Sequence, residues 1–385
     1  LLGRAVELDA ARRTTQNALD AQQAELNTLS RSIGDLMKSG QKAEAEAARA
    51  KTADLKAGIA RLQDELNTTE SALRDQLCLI PNAPNAKVPL GKTPEENVTV
   101  MQEGAVPALP ENAKPHWELG EDYGLLHMDL GVKVTGAGFP VYSGQGAKLQ
   151  RALISFFLDR AIAAGYTEII PPHMVNSDSA FATGQLPDKE GQMYHATVDG
   201  LYLIPTAEVP ITNLYRDEII DAERLPIKNV GYTPCFRREA GSYGAHVRGL
   251  NRVHQFDKVE IVRIEKPENS YAALDEMVEH VKRLLRDLEL PYRQLLLCGG
   301  DMGFASAMTY DMEVYAAAQK RWLEVSSISC FETFQSNRLK LRYKGEDKKT
   351  RLLHTLNGSA LALARIVAAL LENNQTPEGI RIPKA

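Results

Sequence analysis

The first 78 residues constrain the fold of this chain more than any other segment, because they contain no proline and no aromatic residue. Apolar residues recur there at intervals of seven, at Leu19, Leu26 and Ile33 and again at Leu55 and Leu62. Such heptads are typical of helices that pack along one another in a coiled coil. Gly40 interrupts the pattern, which predicts two antiparallel helices of about 36 residues, each roughly 50 Å long.

The residue composition of this helical arm does not indicate its role. Residues 1–78 contain 11 Lys and Arg against 12 Asp and Glu, so its charge is close to neutral. A dimerisation coiled coil and an arm that projects from a body are both compatible with the pattern. Because the chain begins with Leu-Leu-Gly-Arg, without Met or a signal peptide, we expect the first helix to be truncated.

The segment 79–115 is predicted to be a linker with loop or edge-strand character. Prolines recur from Pro81 to Pro115, and proline ends helices and blocks pairing between strands. From His116 to residue 385 the pattern changes to mixed helix and strand. This division predicts an arm (1–78), a linker (79–115) and a body (116–385).

The body is predicted to contain an antiparallel sheet. Strands at 229–237 and 252–264 are joined by a glycine-rich loop rather than by a helix, which favours antiparallel pairing and an α+β fold class. Further elements are a helix at 148–164, strands at 166–170, 201–204, 322–329 and 352–356, and a helix at 358–373.

Composition excludes several classes of protein. The chain has 385 residues, 44% of them hydrophobic, and lacks an apolar run long enough to span a bilayer, so we expect no membrane partner. Its cysteines lie far apart (Cys78, Cys235, Cys298 and Cys330), which argues against structural zinc or a disulfide scaffold and favours the cytoplasm. The net charge of −5 argues mildly against a nucleic-acid partner.

One local concentration of positive charge weakens that last argument. Four arginines fall within positions 237–252, among glycines and histidines, and Phe256 follows on the return strand. The arginines are Arg237, Arg238, Arg248 and Arg252, the glycines are Gly241, Gly244 and Gly249, and the histidines in or near this segment are His246 and His254. A flexible cationic loop between two strands suits a nucleotide or an RNA end, and an aromatic ring can stack on adenine. The alternative is a solvated basic hairpin.

Three further segments carry candidate chemistry. Arg365 lies in an otherwise apolar helix, where a charge requires either a structural ion pair or a ligand phosphate. Thr206 precedes a helix and either caps it or joins Glu208 in a small polar pocket. Glu324 and Ser327 are either surface residues or oxygen ligands of a hard cation such as Mg²⁺.

These segments together resemble the class II aminoacyl-tRNA synthetases. The helix and strand that end at Pro171 resemble motif 1, the Phe236-Arg237-Arg238-Glu239 hairpin resembles motif 2, and Asn357-Gly358-Ser359 through Arg365 resembles motif 3. The helical arm, Thr206-Ala207-Glu208 and the loop after Arg237 resemble the bacterial seryl-tRNA synthetases within that class. The resemblance implies an antiparallel sheet flanked by helices, with an N-terminal antiparallel two-helix coiled-coil arm.

The resemblance also implies an activity and a set of site residues. The family activates L-serine with ATP and transfers the seryl group to the 3′ end of serine tRNA, and of selenocysteine tRNA. Serine would be bound by Thr206, Ala207, Glu208, Glu260 and Ser359. ATP would be bound by Arg237, Arg238, Glu239, Phe256, Glu324, Val325, Ser326, Ser327 and Arg365, with Mg²⁺ held by Glu324 and Ser327.

The family uses its arm to contact tRNA, often across a homodimer. The resemblance therefore implies a tRNA-binding surface that includes Arg12, Arg13, Arg31, Arg49, Lys51, Arg61 and Arg248. A related synthetase with another amino-acid specificity is disfavoured by the serine-type pocket and the arm. Two interpretations of other kinds remain at this stage. One is a stand-alone ligase that charges a carrier protein, against which the heptads argue. The other is a catalytically inactive coiled-coil scaffold, against which the retention of Arg237, Glu324 and Arg365 argues.

Overall fold

The computed structural model describes residues 1–188, 191–239, 244 and 247–384. It divides into two compact units, Leu1–Pro81 and Asn82–Ala385. The first unit therefore ends close to the predicted end of the arm. Most of the predicted linker belongs to the second unit, because it contributes a strand to the main sheet.

The first unit is a pair of antiparallel helices, α1 (Leu2–Lys38) and α2 (Lys42–Cys78), as the heptads predict. Contacts between distant positions establish the antiparallel direction: the Gln76 amide donates to the carbonyl of Leu1, and Lys51 pairs with Glu25. Leu19 and Leu66 are buried in the seam. Gly40 has a φ of +80°, a left-handed conformation that glycine adopts without strain.

The helices of the second unit follow in chain order. They are α3 (His116–Asp122), α4 (Met128–Val134), α5 (Gly144–Ala163), α6 (Ser177–Ala182), α7 (Glu208–Asn213), α8 (Ser270–Asp287), α9 (Phe334–Leu339) and α10 (Leu363–Asn373). In the described part of the chain, no helix combines the length and apolarity needed to cross a membrane.

The strands all lie in the second unit. They are β1 (Val98–Glu103), β2 (Leu126–His127), β3 (Val141–Tyr142), β4 (Thr167–Glu168), β5 (Met174–Val175), β6 (His195–Ala196), β7 (Leu201–Leu203), β8 (Ile219–Asp221), β9 (Ile227–Phe236), β10 (Gln255–Glu265), β11 (Tyr292–Leu296), β12 (Met308–Ala316), β13 (Arg321–Cys330), β14 (Arg342–Lys344), β15 (Thr350–Leu352), β16 (His354–Ala362), β17 (Gln375–Thr376) and β18 (Gly379–Ile380).

Eight of these strands form the main sheet of the described residues, in the order β1-β11-β12-β13-β16-β10-β9-β4. Neighbouring strands are antiparallel, except that β4 runs parallel to β9. The predicted antiparallel pair is β9 and β10. The prediction of an α+β fold with a large antiparallel sheet is confirmed.

The sheet is stabilised by helices whose apolar faces cover it. In α8, buried residues recur at three- and four-residue spacing, for example Leu274, Met277, Val281 and Leu285. The buried face of α10 joins the same core, which extends across the central strands. The central strands β10, β13 and β16 are thereby held rigidly, and all three carry candidate site residues.

One predicted boundary is wrong. We predicted that the strand near 352–356 gives way to a helix at Gly358, but β16 continues to Ala362 and α10 begins at Leu363. Alternating and continuous apolar patterns do not distinguish a buried strand from a helix when Ala and Leu dominate the segment. The consequence for the site is that Asn357 and Ser359 project from the sheet rather than from a helix.

Candidate active site

A cavity of about 570 Å³ lies over the central strands of the second unit. Its lining includes the following residues that the sequence singles out: Thr206, Glu208, Arg237, Glu239, Phe256, Glu324, Val325, Ser326, Ser327, Ser359 and Arg365. Segments separated by more than 150 positions in the chain thus meet at one concave surface. Such a surface with converging polar groups is the usual form of a ligand site.

One end of the cavity is lined by hydroxyl and carboxylate groups. The hydroxyl of Thr206 accepts a hydrogen bond from the backbone N–H of Glu208 at 3.2 Å, which supports the start of α7. Ala207 is fully buried beside them. Glu208 is itself buried, and its Oε1 accepts a 2.6 Å hydrogen bond from the side chain of Gln335.

Glu260 lies behind this end of the cavity and is not part of its lining. The side chain is fully buried, and Lys258 Nζ lies 2.7 Å from its Oε2. Asn357 Nδ2 donates to Glu260 Oε1 at 2.7 Å and to Glu208 Oε2 at 3.0 Å, so one amide bridges the two carboxylates. The hydroxyl of Ser359 donates to Glu260 Oε2 at 3.4 Å.

Cationic and aromatic groups also line the cavity. The guanidinium carbon of Arg237 lies 5.3 Å from the ring centroid of Phe256, within the range of a cation–π contact. Glu239 Oε2 pairs with Arg252 Nε at 2.6 Å. These residues therefore present positive charge beside a ring that can stack on a base.

Arg365 is held at the edge of the cavity by backbone oxygens. Its Nε donates to the carbonyl of Asn251 at 2.8 Å, and its Nη1 donates to the carbonyl of Glu324 at 2.7 Å. The Glu324 carboxylate lies 3.7 Å from the same nitrogen. The guanidinium consequently joins the return segment before β10 to β13.

A second cavity, of about 270 Å³, adjoins Glu324 and Ser327. It is also lined by Asp301 and Asp311, neither of which the sequence singled out. Oδ1 of Asp311 is buried and has no hydrogen-bond partner among the described residues. Burial, together with the neighbouring Glu324 carboxylate, raises the pKa of the Asp311 carboxyl above its ordinary value.

The remaining candidates differ in their placement. Arg238 is exposed and does not line the cavity, and its backbone N–H donates to the carbonyl of Gln192; its assignment to the ATP site stays a prediction. Ser326 lines the cavity, and its hydroxyl donates to the carbonyl of Ser359 at 2.5 Å. The predicted loop residues Gly241 and His246 lie outside the described residues.

The basic candidates of the arm are on its surface or close to it. Arg12 and Arg13 both pair with Asp9, and Lys51 pairs with Glu25. The side chains of Arg31, Arg49 and Arg61 are exposed. In the second unit, Arg248 lies with its guanidinium carbon 4.9 Å from the ring centroid of Trp117.

Sequence reasoning missed four site residues: Lys258, Asp311, Gln335 and Asn357. Of these, Lys258 had a detectable signal, because it falls between Phe256 and Glu260 at the two-residue spacing of one strand face. Asp311 and Gln335 lie on β12 and α9, which were not predicted. Asn357 was named only as part of the motif 3 segment, without a role in the site.

Comparison with known proteins agrees with this geometry. Residues 194–374 match the family model of the tRNA synthetase class II core domain (G, H, P, S and T), and residues 1–84 match that of the seryl-tRNA synthetase N-terminal domain. The fold and the site are those of a class II aminoacyl-tRNA synthetase.

Individual relatives narrow the assignment. Serine--tRNA ligase of Salinibacter ruber is 51% identical over 382 residues, which cover 99% of this chain and 89% of the relative. That of a Synechococcus strain is 48% identical over 389 residues, covering 100% of this chain and 89% of the relative. The crystal structure of seryl-tRNA synthetase from Pyrococcus horikoshii complexed with ATP has a TM-score of 0.94 and 33% identity, covering 99% of this chain and 90% of that one. The chain belongs to the seryl-tRNA synthetase family.

Proposed function

We propose that this chain is a serine–tRNA ligase, which first joins L-serine to ATP and then transfers the seryl group to tRNA. In the first step the serine carboxylate attacks the α-phosphorus of ATP, and pyrophosphate leaves. In the second step a hydroxyl of the terminal ribose of tRNA attacks the seryl carbonyl, and AMP leaves. Neither step requires a covalent bond to the protein, so catalysis rests on positioning and on charge stabilisation.

The observation that carries this proposal is the set of polar and aromatic groups that line the cavity over the central strands. Its lining combines two sets of groups: the carboxylate of Glu208 with the hydroxyl of Thr206, and Arg237 with Phe256. The first set suits an ammonium group and a small hydroxyl, and the second suits a phosphate and a purine. The two substrates would therefore meet between them, with the serine carboxylate directed towards the α-phosphate.

Each side chain has a defined task in this scheme. Arg237 holds the α-phosphate, Phe256 stacks on adenine, and Arg365 clamps the nucleotide from α10. Glu239, which pairs with Arg252, contacts the adenine or its immediate surroundings. On the serine side, Ser359, Glu208 and Glu260 recognise the side-chain hydroxyl of serine. Such a site disfavours alanine, because the polar groups of the site would be left unpaired.

The residues around Glu324 suit a magnesium ion. Mg²⁺ prefers oxygen ligands and combines one or two carboxylates with substrate phosphates. Glu324 and Ser327 supply such oxygens, and the unpaired Oδ1 of Asp311 lies in the adjoining cavity. Glu324 and Ser327 would hold the ion, which would neutralise phosphate charge during adenylate formation.

We further propose that residues 1–78 bind tRNA and that two chains form a homodimer. The exposed arginines of the arm are suited to phosphate contacts, and the two long helices provide an extended surface that can recognise the shape of tRNA. Serine tRNA is the expected acceptor, with selenocysteine tRNA as a second one. A cytoplasmic location stays a prediction from the cysteine distribution.

Pyrophosphate exchange with each of the twenty amino acids in parallel tests the activity. We expect exchange with serine alone, and subsequent transfer of radiolabelled serine to tRNA. Exchange with a different amino acid would contradict the assigned specificity. Serine-dependent exchange followed by loading of a carrier protein, without loading of tRNA, would instead support the alternative ligase.

A further inference from the structure

The serine end of the cavity contains two acidic side chains and one lysine, all of them buried. Glu208, Lys258 and Glu260 retain 6%, 4% and 0% of their accessible surface. Burial of charge is unfavourable unless each charge has a partner of opposite sign. Two acids share one lysine here, so only one of the two carboxylates can pair with it.

The lysine is committed to one of the two acids. Lys258 and Glu260 project from the same face of β10, and their charged atoms lie 2.7 Å apart. The Glu260 carboxylate also accepts hydrogen bonds from Asn357 and Ser359. The Glu260 carboxylate is thus in contact with one cation and two neutral donors.

Glu208 has only neutral hydrogen-bond donors. Gln335 from α9 bonds to its Oε1, and Asn357 from β16 bonds to its Oε2. The charged groups that face it are Glu260 and Lys258 from β10 and Arg237 after β9. Burial, followed by repulsion from Glu260, raises the pKa of Glu208 to about 7, although Lys258 and Arg237 act in the opposite direction.

We infer that Glu208 is a neutral acid below neutral pH when serine is absent, and that it releases its proton when the ammonium group of serine binds. This inference rests on the proposed function. The ammonium group supplies the positive charge that the pocket lacks, so the glutamic acid can ionise. The proton passes to solvent, and no bond other than O–H is broken.

Lys258 is the positioning residue in this arrangement. It does not need to touch the substrate, because it pairs with Glu260 and so leaves Glu208 with amide hydrogen-bond donors alone. Serine should consequently bind more tightly as the pH rises towards neutrality. Below the pKa of Glu208, the apparent dissociation constant should rise by up to about tenfold per pH unit.

Calorimetric titration of the full chain with serine measures the proton directly. The protein is saturated with an ATP analogue that carries a methylene group between the α- and β-phosphorus, and the binding heat is compared in buffers of different ionisation enthalpy. For a pKa of about 7, we expect release of about 0.9 proton per serine at pH 6.0 and about 0.2 at pH 7.5.

The possible results separate this inference from the proposed function. Serine binding without proton release at pH 6.0 would overturn the inference and leave the ligase assignment intact. Absence of serine binding at every pH, in protein that binds the nucleotide analogue, would overturn both. Glu208→Gln should bind serine without releasing a proton, and release that persists in this variant would assign the proton to another group.

Replacement of the lysine supplies the second test. In Lys258→Met, neither carboxylate has a cationic partner, so we expect the midpoint of proton release to move above pH 7. A purely structural role for Lys258 would weaken serine binding without moving this midpoint. Lys148→Met removes an exposed lysine from α5 by the same substitution and should leave the midpoint unchanged. An unmoved midpoint in folded Lys258→Met would contradict its assigned role.

Discussion

The imidazole of His116 links Glu372 to the end of the loop between β9 and β10. His116 Nδ1 lies 2.8 Å from Glu372 Oε1, and both side chains are fully buried. Its Nε2 accepts a 2.8 Å hydrogen bond from the backbone N–H of Leu250, so Nδ1 carries the proton and donates to the carboxylate. Gly249 approaches closely: a Cβ there would lie 2.4 Å from Nε2.

A His116→Ala substitution should therefore destabilise the second unit and displace the loop end. It leaves the Glu372 carboxylate and the Leu250 N–H buried without this partner, at a cost of about 3 kcal/mol. Urea denaturation would measure the loss, and the KM for ATP should rise because Asn251 follows Leu250 and supports Arg365. The exposed His173 provides the control: His173→Ala should change neither quantity. Equal stability of the two variants would refute this account.

The two hydrogen bonds of Arg365 predict a specific response to a conservative change. Lysine retains the charge but has a single donor nitrogen in place of the two that bond to the carbonyls of Asn251 and Glu324. We expect Arg365→Lys to raise the KM for ATP by about 10- to 100-fold, as the loss of one or two charge-assisted bonds implies. Initial-rate pyrophosphate exchange at varied ATP gives this value. The exposed Arg151 on α5 serves as control, and an effect of similar size in Arg151→Lys would show that the bonds to Arg365 are not its cause.

Local pattern was sufficient to predict the arm and the pair β9–β10. In the arm, the heptad residues contact residues nearby in the sequence or residues of the one antiparallel partner helix. The site is different because its contacts depend on register between distant strands. Glu260 faces Ser359 across β10 and β16, and Ser327 faces Asp311 across β13 and β12. The periodicity of a single segment does not predict which residue of a distant strand lies opposite.

The same dependence on pairing explains two differences between the sequence pattern and the structure. Arg238 was grouped with Arg237 because they are adjacent, but successive residues of an extended segment point in opposite directions, and Arg238 is exposed. Lys258 was overlooked although its spacing places it on the face of Glu260. Its significance appears only when both side chains are known to be buried, which the sequence alone does not establish.

Asp311 should influence the requirement for magnesium without being one of the predicted ligands. Its carboxyl group accepts a hydrogen bond from Ser327 and lies close to Glu324. Removal of a group that orients a metal ligand typically weakens metal binding 10- to 100-fold, so Asp311→Ala should shift the magnesium dependence of pyrophosphate exchange by about that factor. Manganese binding, followed by electron paramagnetic resonance in the presence of ATP, provides a readout independent of turnover.

The exposed Asp159 on α5 gives the matched control for this substitution. Asp159→Ala should bind manganese as the unmodified chain does. If Asp311→Ala and Asp159→Ala had the same metal affinity, a supporting role for Asp311 at the metal site would be excluded.

The ion pairs of the arm divide its basic residues into two groups with different expected effects on tRNA. Arg12 and Arg13 share Asp9, and Lys51 pairs with Glu25, whereas the exposed Arg31, Arg49 and Arg61 are outside the ion pairs of the arm, which is described in full. Alanine at the second group should raise the KM for tRNA about tenfold and reduce its salt dependence, because phosphate contacts are lost. Alanine at the first group is the control with the same number of charges removed, and should have a smaller effect. Pyrophosphate exchange, which needs no tRNA, should be unchanged in both. A larger effect of the first group would place the tRNA surface on the opposite set of residues.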